Sequence, residues 1–146
     1  KYIEQVNDNF TKVVICDEDR AIYNSIITKL KNIPKIDILT IPHISSKIIT
    51  VGTKKEKFSY SYAEISAEGA NKWNAIMDIA NILNIKKEEI IAIGDNINDL
   101  KMIQNAGLGV AMENGTPDVK NVADYIAKSN DDDGVAIVIE KYVLNN

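Results

Sequence analysis

The stretch IIAIGDNINDLKMI, residues 90–103, decides the fold. Its first five residues are uninterruptedly apolar up to Gly94, and a second apolar segment with helical spacing begins at Leu100. A short apolar run followed by an amphipathic helix is typical of one strand-to-helix unit of a parallel sheet. Carboxylates and amides stand between the two segments, at Asp95, Asn96, Asn98 and Asp99. Because ligands of open parallel sheets bind beyond the carboxyl ends of the strands, the sequence predicts a binding site at this turn.

The same alternation of strands and helices extends over residues 67–146. The predicted strands are EIIAIG, LGVAM and DYIA, and the predicted helices lie within NKWNAIMDIANILNI, INDLKMIQNAG, TPDVKNVA and GVAIVIEKYVL. The first of these helices has a predicted buried stripe of Trp73, Ile76, Met77, Ala80 and Leu83. Strands that are apolar on both faces and alternate with helices predict an α/β fold, with a parallel sheet covered on both sides.

Residues 1–66 follow a different pattern. A strand at residues 12–16 precedes a helix whose predicted buried stripe is Ile22, Ile26, Ile27 and Leu30, and further extended segments follow. This order favours an α+β sheet with one helical layer. We therefore place a domain boundary near residues 66–70, with one domain at 1–66 and the other at 67–146.

Composition and charge restrict the possible classes of protein. The chain has 146 residues, 45% hydrophobic and 26% charged, with a net charge of −4 and one cysteine. No apolar run approaches membrane-spanning length, and an acidic chain gives no support for a nucleic-acid partner. One cysteine cannot form an internal disulfide, which favours a reducing compartment, and we expect the cytoplasm. Residues 67–146 hold 7 basic and 13 acidic side chains, so this half favours a bound cation.

The turn after Gly94 has the residue types that a divalent cation and a phosphate need together. A carboxylate such as Asp95 is the ligand that Mg²⁺ prefers, while amides and helix N–H groups suit phosphate oxygens. Lys72 stands in a first helical turn, where the helix dipole disfavours a cation unless an anion is close. Two simpler alternatives stay open: these acids and amides cap the following helix, and Lys72 is a solvated surface lysine.

Residues 68–143 resemble the C-terminal half of a phosphatase of the haloacid dehalogenase (HAD) superfamily, most closely its Cof-type branch. The elements that carry the resemblance are Lys72, the block Gly94-Asp95-Asn96 with Asn98-Asp99, and the segments AGLGVAM and NDDDGVA. Residues 1–66 are similar, more loosely, to the later part of the α+β cap domain of that branch. The resemblance implies the C-terminal half of a HAD-like, Rossmann-like core joined to part of a cap.

The resemblance also implies an activity and a set of roles. Family members are Mg²⁺-dependent phosphatases that pass a phosphoryl group to an aspartate and then to water, and small metabolites such as sugar phosphates are the implied substrates. Lys72 matches the lysine that neutralises the phosphate, and Asn98 matches a residue that contacts it. Asp95 matches the Mg²⁺ ligand, and Asp99 matches the second acid of the metal site. Lys72, Asp95 and Asp99 form the implied catalytic set.

The nucleophile of the family, the first Asp of a DxDGT/V motif, is missing from the expected place. The segment VVICDEDR puts Asp17 and Asp19 after an apolar strand, but Arg20 and Ala21 replace the Gly-Thr or Gly-Val that the motif needs. We expect this chain to be the C-terminal part of a longer protein and to be inactive alone. We also expect the strand IIAIG to need an upstream segment, or a second copy, along its open edge.

Two other functions remain possible on sequence grounds. One is a truncated relative that binds a phosphate or a partner without catalysis. The other is a piece of the phosphorylation domain of a P-type ion pump, because such pumps share a similar Gly-Asp-x-x-Asn-Asp block.

Overall fold

The computed structural model describes residues 11–41, 45–51 and 53–145, which fall into two units divided between Ala70 and Asn71. The elements of the first unit are β1 (Lys12–Asp17), α1 (Arg20–Leu30), β2 (Ile36–Thr40), β3 (Ser45–Val51) and β4 (Lys54–Ala67). Those of the second unit are α2 (Lys72–Leu83), β5 (Ile91–Gly94), α3 (Leu100–Asn105), β6 (Leu108–Met112), α4 (Pro117–Val122), β7 (Tyr125–Ala127) and α5 (Gly134–Ile139). Short 3₁₀ turns lie at Lys87–Glu89, Ile97–Asp99 and Asn130–Asp132, and α5 continues as a π-helical turn over Glu140–Leu144.

In the first unit, β4 organises an antiparallel sheet. Its C-terminal half lies between β1 and β2, and its N-terminal half pairs with β3. Helix α1 packs on this sheet through Tyr23 and Ile27, which are buried against Ala63 of β4. One helix on an antiparallel sheet is the α+β arrangement that the sequence predicts.

The predicted stripe of α1 was wrong at Ile22, whose side chain is 51% exposed. The buried face is centred one residue later, on Tyr23 and Ile27, with Leu30 partly buried beside them. Tyr23 is not in the predicted stripe, and its side chain carries a polar hydroxyl. That hydroxyl donates a hydrogen bond to the carbonyl of Tyr62 (2.9 Å), so burial leaves it paired.

The second unit contains a parallel sheet in the order β5-β6-β7. One face of the sheet packs through Ala92 and Ala111 against the helices that carry Met102, Ile103 and Val119. The other face packs through Val110, Met112 and Ala127 against Val138 of α5. Full burial of a valine or isoleucine side chain stabilises by about 1.5–3 kcal/mol. The predicted parallel sheet, covered on both faces, is therefore confirmed.

Helix α2 differs from its prediction at one end. Trp73 and Ile76 pack on the core, and Ala80 is buried, but Leu83 is 60% exposed. Leu83 is the last residue of the helix, because Asn84 takes a left-handed conformation (φ 56°) that ends it. Among the described residues, no helix is long and apolar enough to cross a membrane.

Candidate active site

The turn after β5 is built around a close approach between Gly94 and Asp99. A Cβ atom on Gly94 would lie 2.4 Å from the Cβ and 2.7 Å from Oδ2 of Asp99. Both distances are shorter than the contacts that Cβ atoms make in proteins. Glycine is therefore required here, because it lets the chain fold back until the Asp99 carboxylate reaches the backbone of the turn. The glycine of the motif thus has a steric cause, its close approach to Asp99.

Asp99 is the buried centre of the site, with only 3% of its surface exposed. Its Oδ2 accepts hydrogen bonds from the backbone N–H groups of Asp95 (3.0 Å) and Asn96 (3.2 Å). Its Oδ1 accepts from the Lys72 ammonium at 2.5 Å. Burial alone would raise the pKa of Asp99, but the hydrogen bonds from Lys72, Asp95 and Asn96 outweigh it and hold this pKa below its ordinary value.

Lys72 is the first residue of α2, directly after the N-cap Asn71. A cation is unfavourable at this end of a helix, and the Asp99 carboxylate offsets that cost. Half of the lysine side chain is exposed, which leaves part of it open to solvent. Solvent therefore partly screens the charges of the Lys72–Asp99 pair. Its main effect is to hold the start of α2 against the turn after β5.

Asp95 and Asn98 lie in the same turn but face solvent. The Asp95 carboxylate and the Asn98 amide have no hydrogen-bond partner within the part of the chain that the structure describes. The backbone of Asp95, in contrast, is held on both sides, because its N–H bonds to Asp99 and its carbonyl accepts from the N–H of Thr116 (2.9 Å). The turn presents an accessible carboxylate on a fixed main chain.

The capping alternative accounts for some of these residues and not for others. The Asn96 side chain accepts from the N–H of Ile97 (2.7 Å), and Asn96 and Asp99 cap the 3₁₀ turn reciprocally. Asp95 caps nothing with its carboxylate. The simple interpretation of Lys72 as a solvated surface lysine was wrong, because its ammonium is bound to a buried acid 27 residues away.

Two residues of the β6–α4 loop complete the surroundings of Asp95, and the sequence analysis did not identify them. They are Gly115, whose added Cβ would lie 3.2 Å from the Cα of Asp95, and Thr116, which donates the hydrogen bond to its carbonyl. The Thr116 hydroxyl is buried without a hydrogen-bond partner in the described parts of the chain. Such a group costs about 1–3 kcal/mol. The segment Asn-Gly-Thr-Pro after a parallel strand was the available signal, since it marks a turn at the ligand-binding edge.

The residues of this turn fit one part of a Mg²⁺ site. Mg²⁺ usually binds one or two carboxylates and keeps waters and substrate phosphate oxygens as its other ligands, so an accessible, fixed Asp95 suits it. In the ranges that the structure describes, no group of three or more His, Cys, Asp or Glu side chains could hold a metal ion. Both oxygens of Asp99 already accept hydrogen bonds, so the role of Asp99 as a direct ligand stays a prediction.

The Asp17-Glu18-Asp19 segment of the first unit has a structural role. Oδ1 of Asp17 accepts from the N–H of Asp19 (2.7 Å). Asp19 in turn caps α1, accepting from the N–H groups of Ala21 and Ile22. These bonds match a strand end followed by a capped helix, the interpretation that the sequence favoured over a nucleophile.

Comparisons with known proteins identify the family. The sequence model of the haloacid dehalogenase-like hydrolases matches residues 1–139, and the chain belongs to this family. YxeH of Bacillus subtilis (strain 168) is 36% identical over 150 residues, which cover 98% of this chain and 52% of YxeH. The 5-amino-6-(5-phospho-D-ribitylamino)uracil phosphatase YitU of the same organism is 30% identical over 142 residues, 96% of this chain and 53% of YitU.

The solved structures agree with this family. The HAD subclass IIB sugar phosphatase BT4131 superposes with a TM-score of 0.68 and 25% identity, over 97% of this chain and 46% of that one. The resemblance drawn from Lys72, the Gly94–Asp99 block and the two downstream segments is thereby confirmed. The chain spans about half the length of YxeH and YitU.

Proposed function

We propose that this chain is the C-terminal part of a Mg²⁺-dependent phosphatase that hydrolyses small phosphate monoesters. The observation that carries the proposal is the connection of three predicted site residues through Asp99. One oxygen of Asp99 binds the Lys72 ammonium, and the other binds the backbone N–H of Asp95. A cation for a phosphate and a carboxylate for a metal thus share one buried anchor, although 23 residues separate them in sequence.

Each residue then has a role that follows from its chemistry. Lys72 offsets the negative charge of the bound phosphate, and Asn98 donates its side-chain amide to a phosphate oxygen. Asp95 would hold the metal, and Asp99 fixes both Lys72 and the turn. When bound, Mg²⁺ supplies further positive charge to the transferring group. The nucleophilic aspartate of the family has no match in this sequence, and we assign it to the part of the protein that precedes this chain.

Sugar phosphates are the substrates that we consider first. BT4131 is named as a sugar phosphatase, and the name of YitU specifies a phosphate on a ribityl group. Both names describe phosphate esters of polyhydroxylated carbon chains. We further propose that residues 1–66 are part of a cap domain of the kind found in the Cof-type branch, which would help to select among such substrates, and that the protein works in the cytoplasm.

We expect the complete gene product to hydrolyse p-nitrophenyl phosphate when Mg²⁺ is present and to lose this activity in excess EDTA. The 146-residue chain alone should show no hydrolysis, because it lacks the nucleophile. Release of p-nitrophenolate, followed by absorbance, measures both. Absence of Mg²⁺-dependent hydrolysis in the complete product would reject the phosphatase and favour the phosphate-binding module, which a phosphate titration of the same sample would then detect.

The open edge of β5 supports a second part of the proposal. β5 pairs with β6 on one side, and its other side has no strand among the described residues. Unpaired backbone groups on an apolar strand are a site for another strand. In the same unit, α2 exposes Ile79, Ile82 and Leu83, at 59%, 79% and 60%. We propose that a segment preceding this chain covers β5.

The covering of β5 is tested by comparing the 146-residue chain with the complete gene product in solution. We expect the 146-residue chain to self-associate at micromolar concentration and the complete gene product to sediment as a species without that concentration dependence. Analytical ultracentrifugation over a tenfold concentration range measures the difference. A 146-residue chain that stays monomeric, with the β5 amides protected from hydrogen exchange, would contradict the proposal.

A further inference from the structure

The loop between β6 and α4 contacts Asp95 on the carbonyl side of its backbone. The N–H of Thr116 donates to the Asp95 carbonyl at 2.9 Å. Gly115 lies so near that an added Cβ would be 3.1 Å from that carbonyl oxygen. The N–H of Asp95 is already bound to Asp99. Both backbone polar groups of the predicted metal ligand are therefore fixed, one by its own turn and one by this neighbouring loop.

The loop is itself anchored to the next loop along the sheet. Oδ1 of Asn114 accepts a hydrogen bond from the N–H of Asn130 (3.0 Å), in the connection between β7 and α5. A turn closes the other end, since the N–H of Gly115 donates to the carbonyl of Met112 (2.8 Å). Asn114 thus joins the β6–α4 loop, which contacts Asp95, to the connection between β7 and α5.

We propose that Asn114 is a positioning residue for Asp95. The inference rests on the proposed function, in which Asp95 holds Mg²⁺. Mg²⁺ demands nearly ideal octahedral geometry, so a ligand whose main chain moves binds it more weakly. Loss of the Asn114–Asn130 bond would free the β6–α4 loop, and the Thr116–Asp95 hydrogen bond would form for a smaller part of the time. Asn114 touches neither metal nor substrate in this scheme.

The test compares three variants of the complete gene product. Asn114→Ala removes the acceptor oxygen, Asn114→Asp keeps it, and Asn105→Ala removes an exposed asparagine on α3 whose side chain bonds only to the Lys101 carbonyl among the described residues. We expect Asn114→Ala to raise the Mg²⁺ concentration for half-maximal p-nitrophenyl phosphate hydrolysis by about three- to tenfold, at or below the low end of the range for groups that orient metal ligands. The kcat at saturating Mg²⁺ should change less than twofold.

A second readout does not depend on activity. Amide hydrogen exchange at Thr116 and Asn130 should be faster in Asn114→Ala by about the same factor and unchanged in Asn105→Ala. In the unaltered protein, Mg²⁺ should slow exchange at both Thr116 and Asn130, which tests the link from Asp95 to the Asn114 anchor even if Asn114→Ala folds poorly. Exchange at these amides that Mg²⁺ does not change would contradict that link. Asn114→Asp should restore both the exchange rate and the Mg²⁺ requirement.

Three other results would overturn the inference. If the Thr116 amide exchanges at the same rate in Asn114→Ala as in the wild type, the Asn114–Asn130 bond does not hold the loop. A Mg²⁺ requirement in Asn114→Asp as high as in Asn114→Ala would show that the acceptor oxygen is not the relevant group. Full Mg²⁺ activation of the Asp95→Asn variant would show that Asp95 is not the metal ligand. The last of these also removes Asp95 from the proposed metal site. The proposed function itself would be refuted by a different result, the absence of Mg²⁺-dependent hydrolysis in the complete gene product.

Discussion

Replacing Asp95 with asparagine is expected to lower the Mg²⁺-dependent phosphatase activity of the complete gene product by about 100- to 1000-fold. The amide has the same size as the carboxylate but carries no charge for a divalent cation. Since the Asp95 side chain is exposed and its backbone bonds remain, the free energy of unfolding should change by less than about 0.5 kcal/mol. The kcat/KM for p-nitrophenyl phosphate, measured over a Mg²⁺ titration, gives the result.

Asp118→Asn is the matched control for this substitution. Asp118 is an exposed acid in the first turn of α4, within the same unit, and the structure gives it no hydrogen-bond role among the described residues. The Asp118→Asn variant should keep its activity within about twofold of the wild-type activity. Equal, small losses in both variants would show that Asp95 is an ordinary surface acid, and the metal site would have to be sought elsewhere.

Replacing Asp99 with asparagine is expected to cost about 2–3 kcal/mol of stability, because the negative charge is lost and at least one of the three donors then has no acceptor in a buried place. The amide of asparagine has one oxygen, whereas Asp99 uses two. Lys72 or the turn must therefore lose its partner. Urea unfolding of the complete gene product in EDTA measures the loss, and Asp118→Asn, with no such bonds, should lose less than 1 kcal/mol.

The loss should depend on pH in a defined direction. The folded protein holds the pKa of Asp99 below its ordinary value, so its contribution to stability is fully present above about pH 4 and declines as the pH falls through the lower folded pKa. The difference in unfolding free energy between wild type and Asp99→Asn should therefore shrink between pH 6 and pH 3. A difference that stays constant over this range would mean that folding does not lower the pKa of Asp99.

The elements of the second unit could be predicted because their apolar spacing matches their burial. Strand β6 was predicted at its observed bounds, and it is covered on both faces. Boundaries were less accurate where a polar turn intervenes. The helix expected from Ile97 begins as a 3₁₀ turn and becomes α-helical only at Leu100, because the carboxylate of Asp99 is used for capping the turn. Ile22 and Leu83 show the opposite error, since apolar spacing alone does not say which face another element will cover.

The sequence predicted residues of the candidate site, but not the hydrogen bonds that join them. Lys72 and Asp95 were identified by their residue types and by a family resemblance. That Asp99 would bind both could not be predicted, because the contact between Lys72 and Asp99 spans 27 residues and depends on how α2 packs. Asn114 and Thr116 were missed for a similar reason. Thr116 binds Asp95 through its backbone N–H, which residue type does not reveal. The side chain of Asn114 binds a loop 16 residues away in sequence, a contact that depends on how the loops lie in the fold.

The length of β4 has a consequence for the order in which the first unit can form. Its 14 residues supply partners to three strands, and the register with β1 joins Lys12 to Ser66. Strands that pair over such separations form slowly, because a long loop must close first. During synthesis from the N-terminus, β1 and β2 must therefore wait without their partner until Ala67 has left the ribosome. A chaperone that shields extended segments would act on this unit during that interval.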